Sequence, residues 1–227
     1  MVKSTDWLSG GWALVKPCLG TYILIALVAG LLSTLSLGIL AGPLTCGWLM
    51  ILLRQKRDPS YEPQFGDLWK GFEVFGQSFL AWLVIAIAGA IAGGLVSVLV
   101  SIIQAVPIVG QLVAPMIGAL LGVCLLVVFL YVFPLIADRR MDFWAAIQLS
   151  AETTTPEFLT FAGFALILYL LNALGAVLCG LGALITGPIV LAAVLVSYED
   201  VLAPGAAPVA APTEPPVADE AEPPSPQ

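Results

Sequence analysis

Hydrophobic and polar positions alternate here on the scale of whole segments, not single residues. Residues 17–53 contain no charged side chain. A polar interval follows at Arg54 to Phe75, RQKRDPSYEPQFGDLWKGFEVF, and then a second uncharged run, 77–137. Polar residues return at 138–157, DRRMDFWAAIQLSAETTTPE, before two shorter apolar runs, 158–178 and 181–198. A helix needs about 20 residues to cross a hydrocarbon core of about 30 Å. The run 17–53 therefore predicts a tight hairpin, with one helix near 18–36 and another near 39–54. One long bent helix is the alternative. The run 77–137 predicts two spans, Gln77 to about Gln104 and Gln111 to about Ala137, with a turn at AVPIVG, which holds Pro107 and Gly110. Two further spans flank the LCGLG segment.

Proline and glycine punctuate these runs. Gly42-Pro43 lies in LGILAGPLTCG, Pro134 near the end of the fourth span, and Gly187-Pro188 near the middle of the last. Interior proline removes a backbone donor and crowds the preceding turn, so these positions predict helix breaks or kinks, with Pro43 either a kink or an early-turn residue. Gly38-xxx-Gly42, Gly89-xxx-Gly93 and Gly118-xxx-Gly122 place small residues at a spacing that lets helix backbones approach.

Three polar segments each precede an apolar hairpin and pair an acid with bulky residues: Asp6-Trp7-Leu8, Asp67-Leu68-Trp69 and Asp142-Phe143-Trp144. In the first, Leu8, Trp12 and Val15 fall on one helical face, which predicts a short interfacial helix with its tryptophans at headgroup level; Gly10 and Gly11 weaken it. In the second, Phe65, Leu68, Trp69, Phe72 and Phe75 make one face and Asp67, Lys70 and Glu73 the other. The expected unit is an interfacial helix plus two spans, used three times over about 1–56, 63–137 and 140–198. The acids are offset by 61 and then 75 residues, so the period is not strict, and Trp beside charge before a span is common to membrane proteins in general.

Composition agrees with a lipid environment. The chain is 60% hydrophobic and 10% charged, where a soluble domain carries about 25% charged residues. The net charge of -7 is concentrated at the C-terminus. Residues 1–198 hold nine acidic and eight basic residues, while Glu214, Asp219, Glu220 and Glu222 lie in a Pro/Ala-rich stretch without aromatics. That stretch, 201–227, is expected to be a disordered cytoplasmic tail, able to engage other membrane or cytoplasmic proteins through its proline-rich segments. No basic patch or motif suggests nucleic acid. Cys18, Cys46, Cys124 and Cys179 are widely spaced and there is no histidine, which argues against zinc; no cofactor is expected. The first segment lacks the pattern of a cleaved signal and is expected to remain in the membrane.

Charge also predicts topology. Lys3 and Lys16 precede the first span, Arg54, Lys56, Arg57 and Lys70 follow the second, and Arg139 and Arg140 follow the fourth. With six spans, all eight basic residues fall on one side, the cytoplasm by the positive-inside rule, and both termini lie there. The fold expected over 1–200 is an all-α membrane domain of about six transmembrane helices in three hairpins.

AGPLTCG (41–47), FGDLWKGF (65–72), FPLIAD (133–138) with Ala146-Ile147 and Ser150, and GLGALITGP (180–188) occur in this order. On these motifs the chain resembles uncharacterised bacterial integral membrane proteins labelled glycerophosphoryl diester phosphodiesterase membrane-domain-like, over about 10–200. The resemblance implies a helix bundle of the bacterial cytoplasmic membrane and no reaction, because the chain has no room for the enzyme domain to which such a region is sometimes attached. Asp138, Arg139, Arg140 and Asp142 form the densest ionisable cluster at a span end; they are read as topology determinants, with the acids pairing with the arginines or capping the next helix. The functional expectation is a non-catalytic scaffold, assembly or envelope-homeostasis protein. The alternative is a transporter or channel for a neutral or lipid-like solute, suggested by the paired Gly-Pro positions.

Overall fold

The computed structural model describes residues 4–103, 107–177 and 181–202. Of the turn expected at AVPIVG (105–110), residues 107–110 instead form the first turn of the helix Pro107–Phe129, and 105–106 lie outside the described residues, as do 178–180 of the LCGLG segment. Of the tail expected from 201, Val201 and Leu202 belong to the helix Leu181–Leu202, and the rest lies outside the described residues. Every regular element among the described residues is helical. In chain order these are α1 (Ser4–Val15), a short 3-10 turn (Lys16–Cys18), α2 (Leu19–Leu35), α3 (Ala41–Arg57), a 3-10 helix (Phe65–Val74), α4 (Phe75–Ile103), α5 (Pro107–Phe129), α6 (Val132–Arg139), α7 (Phe143–Thr154), α8 (Phe158–Val177) and α9 (Leu181–Leu202). Five helical stretches are long and apolar enough to cross a membrane: Thr5–Leu35, Phe65–Ser101, Met116–Arg139, Phe158–Gly175 and Gly182–Leu202. α3 is shorter, 17 residues and about 25 Å, with Arg54, Lys56 and Arg57 in its last turn.

The run 17–53 is two helices. α2 ends where Leu37 and Gly38 take left-handed backbone (φ 52° and 86°), and Gly38 N–H donates to the Ser33 carbonyl at 2.7 Å, closing the helix end. Gly38 is required there for space as well, since the Trp82 ring occupies the side where a Cβ would sit.

The long helices close into a ring. α2 packs between α9 and α3, α4 between α3 and α5, and α8 between α5 and α9. Each polar segment docks on the helices before it: the 3-10 helix lies along α3, and α7 lies on α5 and α6. α1 has no predecessor and packs on α9, at the other end of the chain. The core sits where α3, α6 and the C-terminal half of α9 converge, around Leu49, Leu52, Leu135, Ile136, Leu195 and Tyr198. The outward faces of α2, α4 and α8 carry exposed apolar stripes, Leu27-Leu31-Leu35, Ile87-Ile91-Leu95 and Leu166-Leu170-Leu174.

Of the two readings of Pro43 the early-turn one holds: it sits in the first turn of α3, where its missing N–H would have had no intrahelical partner. Other expectations are corrected. α9 runs unbroken through Gly187-Pro188. Pro134, like Pro43, is the third residue of its helix, α6, where its missing N–H has no intrahelical partner; the break lies ahead of it, where the chain turns at Leu130-Tyr131 between α5 and α6. α7 closes that turn: Ser150 Oγ donates to the Val128 carbonyl at 2.8 Å and accepts from Tyr131 N–H at 3.1 Å. Ser150→Ala is expected to cost about 1–3 kcal/mol by leaving that buried N–H unpaired, measured as a lower thermal midpoint in detergent.

The 65–74 segment is a 3-10 helix, with three residues per turn. Its buried face is therefore Leu68, Gly71 and Val74, not the face expected from a 3.6-residue period, and Trp69 is turned outward. The glycine pairs of α4 and α5 do not bring backbones together either. Gly89, Gly93 and Gly118 face open space, and Gly122 makes ordinary contact with Tyr169. Of the Gly38/Gly42 pair, Gly38 serves the turn, and Gly42 packs directly on the Ser78 backbone of α4.

Candidate functional site

α3, α6 and α9 each end in charged residues, and the ring brings these ends together. Helix C-termini favour cations, and Arg57 closes α3. Its Nη1 meets Asp138 Oδ1 of α6 at 2.7 Å and its Nε meets Glu199 Oε1 of α9 at 3.1 Å. Lys56 Nζ reaches the other Glu199 oxygen at 2.6 Å. Tyr198 donates to Asp138 Oδ2 at 2.9 Å. The side chains of Arg57, Asp138 and Glu199 are only 12%, 8% and 13% exposed, so this is a nearly buried cluster of two cations and two anions. Next to it Trp7 Nε1 donates to Asp200 at 3.2 Å, tying α1 to the same end of α9.

A second polar knot joins α1, α2 and α3. Gln55 Nε2 donates to the Leu14 carbonyl at 3.0 Å, and its Oε1 accepts from Tyr22. Beside it, Tyr61 donates to Asp67, which also pairs with Lys70. Arg54 lies close enough to act on both Tyr61 and Asp67. Burial first, and the Asp67 carboxylate second, push the Tyr61 hydroxyl up to about 12.

The residues singled out from the sequence divide accordingly. Arg57 and Lys56 are consumed in the cluster, beyond the topology role expected for them. Arg139 and Arg140 do not pair with Asp138 or Asp142. Arg139 Nη2 reaches the Leu202 carbonyl at 2.5 Å, and Arg140 pairs with Glu73 at 2.5 Å. Asp142 caps α7, accepting from Trp144 N–H at 3.0 Å. Trp12, Trp69 and Trp144 are exposed (41%, 47% and 54%) and Phe72 is half-buried against Trp69 and Phe75. Trp7 departs from the expectation: it is 6% exposed, stacked on Phe161 and edge-on to Phe164. Glycine is the reason. A Cβ on Gly11 would come within 2.6 Å of the Ala193 backbone nitrogen, so Gly10-Gly11 lets α1 lie directly on α9 and carry Trp7 into the core.

A cavity of about 330 Å³ opens at the same corner, lined by Trp7, Thr153, Glu157, Thr160, Phe161 and Asp200 among others. Among the described residues no group of three or more His, Cys, Asp or Glu converges with metal-ligand geometry. Sequence reasoning placed Asp138 and Arg57 in separate clusters and missed Glu199 and Tyr198 as partners. The one available signal was that charge follows three of the four apolar runs, at 54–57, 138 and 199. Compared with known proteins, the chain matches no family, no curated protein and no solved structure.

Proposed function

We propose that the chain is a non-catalytic multi-pass protein of the bacterial cytoplasmic membrane with a scaffold or assembly role. Six spans form three hairpins, each preceded by an interfacial segment, with both termini cytoplasmic. The carrying observation is the use to which charge is put. Arg57, Asp138 and Glu199 stand one at the end of each proposed unit and bind those ends to one another. Lys70 and Arg140 are likewise spent on neighbouring acids of the chain. Charge so disposed stiffens a frame. The apolar stripes on α2, α4 and α8 then face lipid or neighbouring proteins. The cyclic docking pattern, in which α1 takes on α9 the place that the 3-10 helix takes on α3, supports the threefold unit.

Reporter fusions at Leu37, Pro107, Gly175 and Gly205 test the frame. The first three are expected outside and the last in the cytoplasm. A cytoplasmic or membrane-buried Leu37 would reduce the first hairpin to less than two spans and undo the threefold unit. The scaffold role is tested by cross-linking in intact cells. Specific partners that are lost on deletion of 203–227 are expected; an unchanged cross-link pattern counts against the tail as the partner-binding element.

A further inference from the structure

The cavity where α1, α8 and α9 meet has walls of two kinds. One is aromatic: Trp7 and Phe161 both line it, stacked with ring planes 10° apart. The other carries two carboxylates, Glu157 and Asp200, and two hydroxyls, Thr153 and Thr160. No Lys or Arg lines the cavity among the described residues. Arg139 bonds the Leu202 carbonyl nearby but is not part of the wall. α7 ends at Thr154 and α9 at Leu202, so the negative ends of two helix dipoles lie at this corner.

Glu157 and Thr160 are not spent on the fold. Glu157 stands just before α8, where the helix dipole favours an acid. Yet the Thr160 and Phe161 N–H groups donate to its backbone carbonyl, at 2.9 and 3.2 Å. Among the described residues its carboxylate meets neither an N–H nor a cation. Thr34, Thr45, Thr154 and Thr155 each donate to the carbonyl four residues back, at 2.6–2.9 Å. Thr160 makes no such bond among the described residues, and its hydroxyl stays on the wall. Thr153 gives its own proton to the Leu149 carbonyl at 2.7 Å, so toward a ligand it acts as an acceptor. Asp200 Oδ2 accepts from Trp7 Nε1 at 3.2 Å, which holds that carboxylate against the aromatic wall. A space that accepts more than it donates, carries negative charge and has ring faces on one side selects a cation with several N–H donors.

We propose that this cavity is a binding site for a primary ammonium group, presented by an ethanolamine lipid headgroup or by a small free amine. Glu157 is its counter-ion, the Thr153 and Thr160 hydroxyls are acceptors, Trp7 and Phe161 are the cation-attracting wall, and Asp200 adds to the negative field. An ammonium offers three donors to these groups, whereas a quaternary ammonium has the same charge and none, and a phosphate is repelled. About 330 Å³ admits the amine and a short stem and leaves acyl chains in the lipid. The cavity lies at the charged end of α9, which on the multi-pass reading above is headgroup level. The inference rests on that reading but not on the scaffold role.

The test reconstitutes the full chain in nanodiscs of equal parts phosphatidylethanolamine, phosphatidylcholine and phosphatidylglycerol. Native mass spectrometry then reads which lipids stay bound. Phosphatidylethanolamine is expected to be enriched at least threefold over phosphatidylcholine. Glu157→Gln is expected to abolish that preference and Thr160→Val to lower it at least twofold. Glu152→Gln, which removes an exposed acid of α7 outside the cavity, is expected to leave it unchanged. Thermal midpoints in detergent with ethanolamine or choline added separate the two sources. A rise with ethanolamine alone, lost in Glu157→Gln, assigns the site to free amines; lipid enrichment without that rise assigns it to the headgroup. Absence of both responses overturns the site, as does a lipid preference that survives Glu157→Gln or falls equally in Glu152→Gln. The expected reporter topology with neither response discards the site alone, and a changed topology discards the reading beneath it.

Discussion

Arg57→Met is expected to lower the unfolding free energy by about 3 kcal/mol, the lower end of what breaking a buried ion pair costs. The loss comes less from the missing attraction than from what stays behind. Asp138 would keep only Tyr198, and Glu199 only Lys56, both still held out of water. The guanidinium spans two carboxylates from two different helices, at 2.7 and 3.1 Å, a geometry that the single ammonium of lysine does not reproduce. Arg57→Lys is therefore expected to fall between wild type and methionine. Arg139→Met is the control. Arg139 is exposed, bonded to the Leu202 carbonyl and near the Tyr198 hydroxyl at the rim of the cluster, with no carboxylate of its own, so its loss is expected to cost less than about 1 kcal/mol. The two arginines count equally for topology, so a scan of thermal midpoints in detergent separates the frame-holding role from the orienting one. Arg57→Met/Asp138→Leu is expected to recover part of the single-variant loss, because it no longer strands Asp138. An unchanged midpoint for Arg57→Met would show that the cluster holds nothing.

Much of the helical layout was legible because it is written in composition. Helices expected near 18–36 and 39–54 are observed at Leu19–Leu35 and Ala41–Arg57. An uncharged run of known length leaves little freedom about where helices start and stop. What was not legible depends on partners far away in sequence. Arg57 and Asp138 are 81 residues apart, and Arg57 and Glu199 are 142 apart. No local period encodes such a pairing. The prolines show the same limit. Pro43, Pro134 and Pro188 look alike in sequence, yet Pro43 and Pro134 each stand third in a helix while Pro188 lies within a continuous one. The turn ahead of Pro134 depends on Ser150 of α7, far away in sequence, which takes the Tyr131 N–H and the Val128 carbonyl. The face of the 65–74 segment was misread for a third reason. Its backbone runs so close to α3 at Gly47 and Gly71 that it winds with three residues per turn, and an amphipathic reading at 3.6 selects the wrong stripe.

That contact carries the second large effect. Gly71→Ala is expected to prevent stable assembly of the protein, whereas Gly89→Ala and Gly93→Ala are expected to be neutral or to stabilise by about 0.5–1 kcal/mol each. All three changes add one methyl group to a glycine in an apolar protein, and pattern alone ranks Gly89-xxx-Gly93 as the packing motif. The structure ranks them the other way. A methyl on Gly71 would collide with the Pro43 carbonyl and the Gly47 backbone, and one on Gly47 with the Leu68 carbonyl. These are backbone atoms of two packed helices, so no side chain can rotate aside, and relief requires separating the 3-10 helix from α3. Overpacking of a core ordinarily costs about 1–3 kcal/mol, and more where the obstacle is rigid. Moving the 3-10 helix also moves Phe75 and Ser78, and Ser78 is the backbone on which Gly42 rests. At Gly89 and Gly93 a methyl meets open space and removes the excess freedom of glycine from a helix interior. Yield of monodisperse protein and thermal midpoint, measured side by side for the three variants, decide the matter. Normal yield for Gly71→Ala would mean that the 3-10 helix does not lie on α3. Loss of yield for Gly89→Ala would mean that the open face of α4 is packed against something in the membrane.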